Sequence, residues 1–220
     1  LAVIGGADTV VHAENIRRYG ETMPHCQVVE YPTLENLFLI EGLSNFTLEG
    51  IVFTGTTSKY ICDHIYYSGQ ANTLYGSVKF DDCARGRLRH AAVLTAGMRN
   101  FKLENCVFRD LGGNGLLLVN QTVGARIESC LFENVGMSAL SVGNPTTHWE
   151  EEQNRNFNIR IENNLFRHIA YEYPTALCIF VGIVDTLKIL HNTIEGCGYS
   201  AMSIGWGWEP VTYTKGEFCN

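Results

Sequence analysis

The chain has 220 residues, 45% of them hydrophobic and 18% charged, which is enough for one globular domain with a substantial core and too apolar for disorder. Sixteen basic against 23 acidic residues leave a net charge of −7 with no basic run, which excludes a nucleic-acid binder that works by neutralising phosphates. The longest apolar stretch, Ala176–Val184, is too short to span a bilayer. The eight cysteines form no CxxC pair and are spread too thinly for a small disulfide scaffold, so neither zinc nor a cofactor is expected. The chain opens on Leu1 without an initiator Met or a charged leader and closes on Cys219-Asn220 without a terminating element. It is therefore expected to be a piece of a longer polypeptide, the rest of which is its first partner.

Residues 1–34 carry no repeat and read as a lead-in or part of a missing element. From residue 35 onward an internal repeat decides the fold. Phe46-Thr-Leu-Glu-Gly-Ile-Val-Phe53 returns as Phe101-Lys-Leu-Glu-Asn-Cys-Val-Phe108 and as Ala125-Arg-Ile-Glu-Ser-Cys-Leu-Phe132. It returns again as Ile159-Arg-Ile-Glu-Asn-Asn-Leu-Phe166 and, more weakly, as Leu187-Lys-Ile-Leu-His-Asn-Thr-Ile194. Apolar and polar residues alternate within each copy, as a strand with one buried face requires. A second strand follows most copies: Gly115–Val119, Ala139–Gly143, Ala176–Phe180 and Ala201–Gly205, with Ala92–Ala96 closing the first coil. Short strands at near-constant spacing, with no amphipathic helices between them, specify an all-β fold. The pattern predicts a right-handed parallel β-helix, a single-stranded solenoid over residues 35–220 that is incomplete at its C-terminal end. Two loop insertions interrupt it, Ser58–Arg89 and Asn144–Asn156.

Stacked coils predict stacked side chains. Phe53, Phe108, Phe132, Phe166 and Ile194 are expected in one inward column, and Leu48, Leu103, Ile127, Ile161 and Ile189 in another. Cys106 above Cys130 reads as two buried free thiols, and Asn164 above Asn192 as an amide ladder in a buried bend. Arg126, Arg160 and Lys188 are expected to face solvent and pair across coils with Glu104, Glu128 and Glu162. His191, aligned with Asn163, reads as a turn residue.

Leu111-Gly-Gly-Asn-Gly115, Tyr171-Glu-Tyr-Pro-Thr-Ala176, His191-Asn-Thr-Ile194 and Tyr199-Ser-Ala-Met-Ser-Ile-Gly-Trp-Gly-Trp208 resemble segments of the pectin-lyase-like right-handed β-helix proteins. The resemblance is closest to carbohydrate-active proteins of the glycoside hydrolase family 141 type. It covers roughly Glu35–Asn220 and implies a secreted, periplasmic or cell-surface protein that acts on a plant or algal polysaccharide. It also implies hydrolysis, with α-L-fucoside and xylan activities known in the family. Such proteins continue into coils with an Asp-Gly-Gly segment followed by an Ile-Tyr pair, which this chain lacks.

Alternation along the second strand points Leu140, Val142, Leu177, Ile179, Met202 and Ile204 inward. The small residues Ala139, Ser141, Gly143, Ala176, Cys178, Ala201, Ser203 and Gly205 are then expected to form a shallow outer floor. Tyr171, Tyr173 and Tyr199 flank it on one side, and Trp149, Trp206 and Trp208 on the other. Sugars present apolar C–H faces with polar rims, so these aromatics are the candidate binding platforms. His148, beside Trp149, is placed to reach a sugar hydroxyl. Glycoside cleavage generally uses two carboxyl groups. Glu172 is the leading acid/base candidate, because its tyrosine neighbours would desolvate it and raise its pKa. Asp110 is the second candidate, at the head of a polar column Asp110–Asn134–His168 that either lines a cleft or ties turns together. The acidic run Glu150–Glu152 reads as a solvated face. The alternatives to hydrolysis are a non-catalytic, glycan-binding or adhesive solenoid and a polysaccharide lyase.

Overall fold

A computed structural model describes residues 2–5, 28–31, 37–56, 91–143, 155–173, 175–182, 184–205 and 216–219. Among them there is no helix, and every strand belongs to one of three parallel sheets. Sheet I contains β1 (Ala2–Gly5), β2 (Val28–Tyr31), β5 (Val52–Thr54), β8 (Val107–Leu111), β11 (Leu131–Val135), β14 (Leu165–Ile169) and β17 (Thr193–Cys197). Sheet II contains β3 (Phe38–Glu41), β6 (Ala91–Ala96), β9 (Asn114–Val119), β12 (Leu140–Val142), β15 (Leu177–Val181) and β18 (Ser200–Ile204). Sheet III contains β4 (Thr47–Glu49), β7 (Lys102–Glu104), β10 (Arg126–Glu128), β13 (Asn156–Glu162), β16 (Val184–Leu190) and β19 (Gly216–Cys219). The chain passes from sheet III to sheet I to sheet II and repeats, which builds a right-handed parallel β-helix. Within the first 34 residues, β1 and β2 extend sheet I past β5.

Each eight-residue copy, expected as one strand, is two strands meeting at a corner. The fifth residue of every copy takes up the left-handed backbone region: Gly50 (φ 66°), Asn105 (54°), Ser129 (55°), Asn163 (56°) and His191 (54°). Glycine and asparagine tolerate that conformation better than most residues, so the polar position that looked like an outward strand residue turns the chain instead. His191 thus holds a turn position.

The inward columns form as the repeat requires. Phe53 and Phe108 stack with ring centroids 4.5 Å apart, Phe108 and Phe132 at 4.7 Å, and Phe132 and Phe166 at 4.9 Å. Ile194 pairs in register with Phe166. Leu48, Leu103, Ile127, Ile161 and Ile189 are in register on sheet III, each buried. Cys106 and Cys130 are buried free thiols. The hydrogen bond with Cys106, and after it burial, pushes the Cys130 thiol pKa up, so the thiol stays protonated.

The amide ladder closes the corner beside them. Asn164 Oδ1 accepts from the Cys130 N–H at 2.9 Å, and Asn164 Nδ2 donates to the Ile127 carbonyl and to Asn192 Oδ1, both at 3.0 Å. Asn164→Leu removes these partners and leaves the buried Cys130 N–H unpaired. A loss of about 1–3 kcal/mol in denaturant unfolding is expected.

Two packing expectations are corrected. The sheet II floor is not open: Ala139, Ser141, Gly143, Ala176 and Cys178 are buried, and of the expected outer set Ala201 alone is exposed. Register places Leu117, Ser141, Phe180 and Ser203 in one column, of which the first three are covered. Leu177 is buried, as expected, and Cys178 joins the central core. Among the described residues the direct ion pairs of sheet III run along one strand, Lys102 to Glu104 and Arg160 to Glu162, because residues two apart share its outer face. Arg160 is also attracted to Glu128, and Glu162 to Arg126, across coils. A direct cross-coil pair lies on sheet I, where Arg167 meets Glu133 at 2.7 Å.

Candidate functional site

The corner joining sheets I and II varies in length from coil to coil, and that variation makes the site. The turn is short between β8 and β9 and between β17 and β18. Between β14 and β15 it lengthens to run from Ala170 to Ala176. This longer turn folds back on the preceding coil. Ala170 N–H reaches the Val135 and Met137 carbonyls at 2.8 and 3.1 Å. Glu172 and Tyr173 N–H both donate to the Gly136 carbonyl, at 3.2 and 3.1 Å.

The fold-back sends neighbouring side chains in opposite directions. Tyr173, expected on the rim, is 1% exposed and belongs to the core cluster. It anchors the turn and is withdrawn from the surface. Tyr171 and Glu172 stay outside. The Tyr171 ring lies against His168 at 4.7 Å and 16°, a stacked pair, and its hydroxyl interacts with the neighbouring Glu172 carboxylate. Burial pushes the Tyr171 pKa up to about 12, helped by the negative charges of Glu172 and Asp110. Burial also raises the Glu172 carboxyl, and the Tyr171 hydrogen bond partly offsets that rise.

The polar column is present beneath this pair. Asn134 Nδ2 donates to Asp110 Oδ1 at 3.0 Å, and His168 Nδ1 lies 2.8 Å from Asn134 Oδ1. All three residues have left-handed backbone, with φ of 54°, 52° and 54°, so one corner position supplies three successive coils with an outward polar side chain. The ladder ties turns together and also gathers Asp110, Asn134, His168, Tyr171 and Glu172 at one edge of the solenoid. Tyr199, half exposed at 50%, sits one turn further on. Trp149, Trp206, Trp208 and His148 lie outside the described residues, as do Glu150–Glu152 and the Ser58–Arg89 insertion.

Gly136 is a participant that the sequence reading passed over. A Cβ there would stand 2.8 Å from the Gly112 carbonyl oxygen and 3.2 Å from Glu172 Oε2. Its signal was the recurrence of glycine at this corner, in Gly112, Gly136 and Gly198. Gly136→Ala should cost about 1–3 kcal/mol in denaturant unfolding by overpacking against backbone. Gly113→Ala, with nothing within 4 Å, is the matched control and should cost far less.

The fold and corner cluster define a parallel β-helix with carboxylates and aromatics gathered along one edge. Its similarity is to a solved structure described as a glycoside hydrolase, with 25% identity, a TM-score of 0.69 and coverage of 80% of this chain. The match spans 34% of that structure, so this chain corresponds to about a third of its length. No protein-family model and no curated protein matches the chain.

Proposed function

We propose that this chain is part of a carbohydrate-active hydrolase of the family 141 type that cleaves glycosidic bonds of a plant or algal polysaccharide outside the cytoplasm. Glu172 serves as the general acid, and Asp110 is the candidate second carboxylate. Tyr171, His168 and Tyr199 contact the sugar, joined by Trp206, Trp208, Trp149 and His148. The observation that carries this reading is the gathering of Glu172, Asp110 and a stacked Tyr171–His168 pair at one corner of the solenoid. Partial desolvation moves the Glu172 carboxyl upward, the direction a general acid needs, and an aromatic platform suits the apolar face of a pyranose ring. The similarity to a glycoside hydrolase supports the same reading.

The test is product analysis after incubation of the full polypeptide with plant and algal polysaccharides. Hydrolysis releases saturated oligosaccharides with new reducing ends. Unsaturated products absorbing in the ultraviolet would make the protein a lyase, and binding without any cleavage would make it an adhesive solenoid.

A further inference from the structure

The column under Tyr171 fixes more than spacing, because its three members differ in what each can donate. A carboxylate oxygen offers no proton, so the end of the Asn134 amide that faces Asp110 must be its NH2 group. The opposite end of the same amide, Oδ1, then faces His168. An amide oxygen offers no proton either, so the contact at 2.8 Å requires the proton to sit on His168 Nδ1. Turning the amide over would set its oxygen against the Asp110 carboxylate, acceptor against acceptor. Orientation therefore passes from Asp110 through Asn134 to the imidazole.

The rest of the ring is equally constrained. One face stacks on Tyr171, and the left-handed backbone at Asp110, Asn134 and His168 repeats on successive coils. With its single proton on Nδ1, an uncharged imidazole leaves a lone pair on Nε2, and no hydrogen bond to Nε2 is seen among the described residues. A bare lone pair on Nε2 accepts and cannot donate, so it favours a hydroxyl donor. It disfavours a carboxylate, which is itself only an acceptor and carries charge of the same sign as Asp110 at the head of the column.

We propose that Asp110 and Asn134 are positioning residues that lock His168 in its Nδ1–H form, making Nε2 a hydrogen-bond acceptor for a hydroxyl of an uncharged sugar. The choice of a neutral sugar rests on the carbohydrate reading above; the lock itself does not.

Nitrogen-15 NMR of the histidine-labelled full chain tests both parts, at about pH 8, above the ordinary histidine pKa of about 6.5. The expected wild-type spectrum has His168 protonated at Nδ1 and bare at Nε2. Asp110→Asn gives the column a side chain that can donate, and Asn134→Leu cuts the relay, so both should lose the Nδ1–H pattern and revert towards the Nε2–H form. Wild-type His168 protonated at Nε2, or an Nδ1–H form that survives both substitutions, would overturn the lock. A neutral xylo-oligosaccharide should then move the wild-type Nε2 resonance and an oligogalacturonate should not. An equal or larger response to the oligogalacturonate overturns the neutral-sugar assignment. If neither sugar moves it, the carbohydrate reading of this site falls while the lock stands.

Discussion

Phe132→Ala is expected to lower stability by about 3–5 kcal/mol, read as a shift of the denaturant midpoint at unchanged slope. Phe132 is fully buried and has a ring on both sides, Phe108 at 4.7 Å and Phe166 at 4.9 Å, each tilted by 14°. Truncation removes the buried ring, leaves a cavity that flanking β-strands cannot collapse into, and deletes two aromatic contacts worth about 0.5–1.5 kcal/mol each. Phe166→Ala removes one ring contact, since its other neighbour in register is Ile194. It should cost less than Phe132→Ala by about one such contact. A solenoid transmits stability between neighbouring coils, so damage in a middle coil weakens both of its interfaces. The comparison substitution is Leu39→Ala, at a position 58% exposed, where the change should stay within about 0.5 kcal/mol. If Phe132→Ala and Leu39→Ala proved equally mild, stacked coils would not be what holds this protein together.

The aromatic ladder was legible because a repeat aligns residues without any knowledge of distance. Phe53, Phe108, Phe132 and Phe166 end four copies of one pattern, and stacking follows from the alignment alone. The column Asp110–Asn134–His168 was legible for the same reason. The corner inside each copy was hidden, because Gly50, Asn105, Ser129, Asn163 and His191 occupy a position where an outward strand residue is equally polar. Only the sign of φ separates those two readings. The sheet II floor was misread because alternation says which side chains face out and is silent about whether anything covers them. Leu117 and Phe180, large apolar residues in the outward column of Ser141 and Ser203, are both buried and mark this face as covered. Tyr173 was misplaced because Tyr171 and Tyr173 look alike as a pair flanking Glu172. The fold-back onto Gly136 sends one into the core and leaves the other against His168.

Glu172→Gln should lower turnover about 10²–10⁴-fold on a natural glycan while leaving the unfolding midpoint close to wild type. Glutamine keeps the shape and the backbone bonds to Gly136 but has no proton to give to a leaving oxygen. A substrate with a nitrophenolate leaving group, which departs without protonation, should lose much less. That contrast separates a general acid from a residue that merely holds the turn. The pH dependence supplies a second, signed test. Burial raises the Glu172 pKa, which keeps the acid protonated to higher pH, and the Tyr171 hydroxyl opposes this by stabilising the carboxylate. Tyr171→Phe keeps the ring and removes the hydroxyl, so the Glu172 pKa should climb further and the alkaline limb of the rate profile should move to higher pH. The same raised pKa makes its folding contribution favourable at low pH, and that contribution is lost as pH rises through the folded-state value. A Tyr171→Phe limb that moved to lower pH, or a Glu172→Gln enzyme with wild-type turnover on the glycan, would remove Glu172 from the chemistry.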